Sequence, residues 1–274
     1  METRLGRFPA QAELPDPLKF AWPIIVLPEM FTTSRHLATL VGYLSSTGWE
    51  VCAPDLDAAI GHGGTPPLEK LDFAKLTDLA AEAVATLGRQ AIVIGHGIGG
   101  LVALKLAERT PVKAAVAIAP LAPGFRTPLF MGIANRIRMW QGRPLSPPTR
   151  RMLFEFVADA DVHSRAQIIK TLHEGATDVA IDVMKGDLEF ATAEKAAPRL
   201  IVAGESDIFA PYEKLDQFAH RIGAPIVKIA GRGHWLIGGR GLERTINEIQ
   251  RFLVRSLGRD LLLLYPEEWK EQDP

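Results

Sequence analysis

The feature that most constrains this 274-residue chain is the recurrence of short, largely apolar runs at 23–27, 50–53, 91–94, 113–119, 200–203 and 226–229. Runs of this length, rich in Val, Ile and Ala and without polar alternation, read as strands buried on both faces. Between them, 35–45, 71–87, 98–108, 212–221 and 242–257 space their apolar residues as helices do. Strands alternating with helices imply a parallel sheet with right-handed crossovers, so the expected class is α/β, doubly wound and mostly parallel. Gly48, Gly88 and Gly223 each close a helical run before a strand, where a left-handed residue ends a helix cheaply.

The alternation stops between residues 123 and 198, where Met, Phe, Trp and Arg mix with Pro144, Pro147 and Pro148. This stretch reads as a helical insertion, which divides the chain into a core of 1–122 and 199–274 and a cap of 123–198. Its residues Phe130, Met131, Met139, Trp140, Leu153, Phe154 and Phe156 either line a pocket or, as is commoner at helical spacing, form plain core.

Composition excludes several functions. Charged residues are 23% of the chain and the net charge is -1, without the basic excess that a phosphate backbone attracts, so no nucleic-acid partner is expected. No run approaches the 18 apolar residues of a membrane span, and residues 1–19 are too interrupted by charge and proline for a signal peptide. Cys52 is the only cysteine, which rules out an internal disulfide and a cysteine zinc cluster and suits a cytoplasmic location. His36, His163, His173 and His220 lack metal-ligand spacing and are expected at the surface; neither metal nor cofactor is expected. The run at 261–264 is expected to pack against the body or a partner.

Three loops carry the chemistry. The first is Gly95-His96-Gly97-Ile98-Gly99-Gly100, set between a strand and a helix, with small residues that let the backbone turn sharply. A glycine-rich strand-to-helix turn of the dinucleotide- or phosphate-binding kind is the alternative, but the Lys-Ser/Thr ending of a phosphate loop is missing. The second, Gly204-Glu205-Ser206-Asp207, leaves the strand at 200–203. The third, Gly231-Arg232-Gly233-His234-Trp235, leaves the last strand about 27 residues after Asp207. All three fall at carboxyl ends of strands, where open α/β sheets place their sites.

In that order these loops resemble the nucleophile elbow, acid loop and histidine loop of the α/β-hydrolase superfamily, with Gly97 where the elbow motif Gly-His-Ser-x-Gly-Gly has its serine. The resemblance spans residues 20–257 as architecture and is specific at the three loops. It implies that Asp207 orients His234, that the Met30 and Ile98 N–H groups form the oxyanion hole, and that His62 is structural. The oxyanion loop departs from the family's usual His-Gly start, reading Pro28-Glu29-Met30-Phe31. A carboxylate at Glu29 would oppose an oxyanion, since like charges about 4 Å apart repel by about 4 kcal/mol at an effective dielectric near 20, unless it is protonated or turned away.

Glycine offers no attacking atom, so a covalent acyl-enzyme at position 97 is closed. What remains is a His234–Asp207 pair acting as general base on water, or directly on a small, mostly apolar carbonyl or ester substrate, at an ordinary histidine pKa near 6.5. Glu29 is the second acid–base candidate, with a salt-bridging surface or loop carboxylate as the commoner alternative. His96, Phe31, Trp140, Phe154 and Trp235 are expected to line the pocket. Two other readings stay open. One is a noncatalytic binder, as resemblance to the N-myc downstream-regulated family, which also carries glycine at the elbow, would imply. The other is an ordinary esterase-like hydrolase altered from serine to glycine.

Overall fold

The computed structural model describes residues 2–61, 65–109 and 111–262. Among these, eight strands form one sheet in the order β1-β2-β4-β3-β5-β6-β7-β8. They are β1 (Glu2–Leu5), β2 (Phe8–Glu13), β3 (Ile24–Leu27), β4 (Val51–Pro54), β5 (Ala91–His96), β6 (Val112–Ile118), β7 (Arg199–Gly204) and β8 (Ile226–Ile229). From β4 to β8 every pairing is parallel; β2 lies antiparallel on β4, and β1 antiparallel on β2. The class read from the sequence is the class found. Every residue of β3, β4, β5 and β7 is buried, as strands sandwiched between helices require.

The hairpin β1–β2 has no counterpart in the sequence reading. Half of its ten strand residues are polar and only Leu5, Phe8 and Ala10 are buried, so the continuous apolar run that marks the other strands is missing. It is stabilised by its ladder to β4, a long-range pairing that no local pattern encodes.

The helices of the sheet layer are α1 (Ala38–Ser46), α2 (Phe73–Ala85), α3 (Ile98–Leu106), α8 (Tyr212–Ile222) and α9 (Leu242–Leu257). Helix α3 packs on β5 and β6, α1 on β2 and β4, α8 on β7 and β8, and α9 across β6 to β8. Between β6 and β7 the chain carries α4 (Ile133–Trp140), α5 (Arg150–Phe156), α6 (Val162–Thr171) and α7 (Thr177–Lys185) with no strand, which is where the alternation stops in the sequence. Leu261 is buried and its carbonyl accepts from Ala21 N–H at 3.0 Å, so the start of the 261–264 run packs on the body. His62 and residues 263–264 lie outside the described residues. No helix among the described residues is long and apolar enough to cross a membrane.

Candidate functional site

The site forms where β3, β5, β7 and β8 end. Strand β5 runs into α3 through Gly97, whose φ of 52° and ψ of -116° hold it in a region closed to unstrained L-residues. The turn is tight on its other side too, because a Cβ on Gly99 would stand 2.4 Å from the Pro28 carbonyl oxygen. The elbow therefore presses against the loop leaving β3, and that contact delivers Glu29 to the site.

Asp207, in the loop after β7, is fixed by its own chain: its Oδ1 accepts from the N–H groups of Phe209 at 2.8 Å and Ala210 at 3.0 Å. Its Oδ2 faces His234 Nδ1 at 2.8 Å. On the far side of the ring, His234 Nε2 faces Glu29 Oε2 at 3.2 Å. The other oxygen, Glu29 Oε1, accepts from Met30 N–H at 2.5 Å and Ile98 N–H at 3.1 Å. The two N–H groups expected to form an oxyanion hole thus converge on one point, and a carboxylate oxygen occupies it. Of the alternatives left open for Glu29, a surface position is excluded because the side chain is wholly buried, while the loop carboxylate paired with a cationic partner describes its contact with His234.

Gly97 makes this arrangement possible. A Cβ built there would lie 1.3 Å from Glu29 Oε2 and 2.0 Å from its Cδ, so any side chain at 97 and the carboxylate compete for one volume. The glycine and the glutamate are two halves of one steric solution. Gly95, Gly97 and Gly100 also have the spacing of a dinucleotide-binding turn, but here Ile98 N–H at the helix start is given to Glu29 rather than left open for a phosphate.

Electrostatics follow from the geometry. Burial of the His234 ring opposes its protonation, but Asp207, reinforced by Glu29, outweighs that penalty and raises its pKa to about 10. This revises the expectation of a base at an ordinary histidine pKa: with Asp207 at Nδ1 and Glu29 at Nε2, the ring keeps its proton to higher pH than a free histidine does. His96 goes the other way, to about 3, because it is buried and next to the charged His234. Its Nε2 donates to the His234 carbonyl at 3.0 Å, so it braces the histidine loop and is no pocket wall.

The aromatic surroundings also differ from expectation. Phe156 lies 5.2 Å from the His234 ring and Phe209 5.5 Å, both ring centroid distances, and they cover the imidazole. Phe154, expected in the pocket, is 53% exposed, because two positions along α5 turn a side chain to nearly the opposite face from Phe156. Trp140 is 86% exposed at the end of α4 and lines nothing here. Trp235 is buried edge-on against His96 and Phe156 and supports the site from behind. Phe31 does line the cavity next to Glu29, a space of about 60 Å³ bounded also by Leu71, Val102, Val179 and His173. Neither His234 nor Gly97 lines it.

Two partners went unseen in the sequence. His173, expected at the surface, is half-buried: its Nε2 lies 3.1 Å from Asp57 Oδ2 and from the Thr32 carbonyl, and its N–H donates to the Phe31 carbonyl at 3.1 Å. Burial opposes its protonation but Asp57 raises the pKa to about 9. It ties the chain between α6 and α7 to the loop carrying Glu29, where Phe31 holds a strained φ of 72°. His36 is half-buried as well, with Nδ1 accepting from Thr33 N–H at 2.9 Å, whereas His163 and His220 are exposed as expected. Asp159, almost fully buried, accepts from Gly233 N–H at 2.5 Å and pairs with Arg232, gripping the histidine loop from the segment between α5 and α6. No motif marks either residue. Among the described residues no group of three His, Cys, Asp or Glu side chains is placed to hold a metal ion.

A parallel sheet with a strand-turn-helix elbow, and a histidine and an acid on the loops that follow later strands, defines the α/β-hydrolase class. The chain belongs to the alpha/beta hydrolase family, whose family model matches residues 21–247. A search of curated proteins finds no match. Solved structures with this fold include a monoacylglycerol lipase from Paleococcus ferrophilus, with TM-score 0.65, 19% identity, and 87% of this chain and 98% of that one covered. A thermophilic esterase from Thermogutta terrifontis aligns with TM-score 0.63 and 16% identity over 91% of this chain and 94% of that one. The enol-lactonase of Burkholderia xenovorans LB400 gives 0.64 and 19% over 89% and 95%.

Proposed function

We propose that this protein is an enzyme of the hydrolase fold that works without a serine nucleophile, by acid–base chemistry on a small, mostly apolar carbonyl or ester compound. In this reading Gly97 stands where relatives carry the nucleophile, Glu29 is the working carboxylate, His234 is the proton donor and acceptor, and Asp207 holds its ring. The segment 123–198 acts as a cap over the site. The observation that carries it is the contact between Glu29 Oε2 and His234 Nε2 in the space above Gly97. A buried carboxyl group in contact with a buried imidazole forms an acid–base pair, the requirement for moving a proton onto and off one substrate. The cavity beside Glu29, far below the roughly 300–1,000 Å³ of a drug-sized pocket, supports a small substrate with an apolar body.

A second reading, a ligand- or protein-binding member with silent chemistry, draws on one observation: the side chains of Glu29, His234 and Asp207 are fully buried. Turnover separates the two. Assayed against short esters, lactones and small enolisable ketones, the wild-type protein is expected to convert one of these classes. Glu29→Gln and His234→Gln, which keep shape, should each lower that rate by about 10²–10⁴-fold. The rate should hold between pH 7 and 9 and fall as pH rises through about 10, where the imidazolium loses its proton. Binding of such a compound without turnover would instead establish the binder.

A further inference from the structure

Helix α4 is turned inside out. Ile133, Ile137 and Trp140, spaced i, i+4, i+7, are 78%, 51% and 86% exposed, while the polar Asn135 on the opposite side is buried. Asn135 holds the helix in this orientation: its Nδ2 donates to the Ser146 carbonyl at 2.9 Å and its Oδ1 accepts from Ser146 N–H at 2.9 Å. Arg138 adds contacts to the Pro144 carbonyl and Glu174 on the same side. The apolar stripe therefore faces away from the body by construction.

The charge around the stripe is as one-sided as its hydrophobicity. Residues 121–154 contain six arginines, Arg126, Arg136, Arg138, Arg143, Arg150 and Arg151, and no acidic residue, in a chain whose net charge is -1. All but Arg138 are exposed, and among the described residues Arg138 alone of them makes an ion pair, with Glu174.

We propose that this face docks on an anionic phospholipid surface, with Trp140, Ile137 and Ile133 entering the boundary between headgroups and acyl chains and the arginines pairing with lipid phosphates. An apolar stripe flanked by arginine, with a tryptophan at its end, is the pattern of a helix lying in such an interface. Charge complementarity selects this occupant. A second copy of the chain would set arginines against arginines, and a nucleic acid would leave the tryptophan and isoleucines in water. The inference does not depend on the acid–base site.

Co-sedimentation with phosphatidylcholine vesicles, with and without phosphatidylglycerol, tests it on the whole protein. The protein is expected to pellet with the mixed vesicles, to stay in solution with phosphatidylcholine alone, and to be released at about 1 M salt, where charges are screened within about 3 Å. Ile137→Asn combined with Trp140→Ala, and separately Arg143→Glu combined with Arg150→Glu, should each weaken binding at least about tenfold without moving the melting temperature, as each basic group near an anionic surface contributes about fivefold. Val254→Ala, at an exposed apolar position on α9, should bind as wild type. Failure to pellet with phosphatidylglycerol vesicles, binding that these variants leave intact, or a dimer in solution that Trp140→Ala dissociates would each overturn the proposal.

Discussion

Gly97→Ser alone is expected to yield no esterase activity, whereas Gly97→Ser together with Glu29→Gly raises hydrolysis of a p-nitrophenyl ester by at least about a hundredfold. Placing a serine on this turn, with a histidine and an acid nearby, looks sufficient on paper, but a Cβ at 97 would stand 1.3 Å from Glu29 Oε2. The carboxylate also holds both N–H groups that an oxyanion would need, and it helps keep His234 protonated, where it cannot accept the serine proton. Removing the carboxylate corrects all three faults in one step. It empties the volume above the turn, frees Met30 and Ile98 N–H, and leaves His234 with Asp207 as its only charged neighbour. A fluorophosphonate probe gives the independent check: wild type and the single variant stay unlabelled, and the double variant is labelled at residue 97. The backbone at φ 52° costs an L-residue about 1–3 kcal/mol, so the double variant should also melt earlier. Strong labelling of the single variant would mean that Glu29 does not hold the site, and the assignment of its role would fail.

How much of this was legible in the sequence depends on the range of the interaction. The parallel strands, the helices between them and the three loops were readable because each is written locally, in apolar runs and in glycines that permit sharp turns. The glycine at 97 and the glutamate at 29 were each visible in the sequence, yet their pairing was not. They are 68 positions apart in the chain, and only the close approach of Gly99 to Pro28 brings one against the other. His234 was read with the pKa of a free histidine, whereas an imidazole between two buried carboxyl groups titrates higher, at about 10. Trp140 and Phe154 were misplaced for a different reason. The helical period says which residues share a face, but not which face turns inward, and at α4 that choice is made by Asn135 bonding to Ser146.

The same buried charge triad predicts the largest effect on stability. His234→Ala leaves Asp207 and Glu29 as two buried carboxylates with no cation between them, and breaking a buried pair in this way costs about 3–5 kcal/mol at pH 7. Some of the loss comes from the space vacated by the ring, and that part is indifferent to pH. The electrostatic part is not. The imidazole binds its proton more tightly folded than unfolded, with its pKa raised from 6.5 to about 10, so its contribution is complete below about pH 6.5 and is lost as pH rises through about 10. Urea denaturation of wild type and variant at pH 7 and again near pH 10.5 should therefore show a wide gap that narrows to the cavity cost alone. Adding Glu29→Gln to His234→Ala removes one of the stranded charges and should recover a similar part of the loss at both pH values, because neither variant has an imidazole left to titrate. A gap between wild type and His234→Ala of equal size at both pH values would show that packing alone sets the cost, and that the histidine carries no proton shared between two carboxylates.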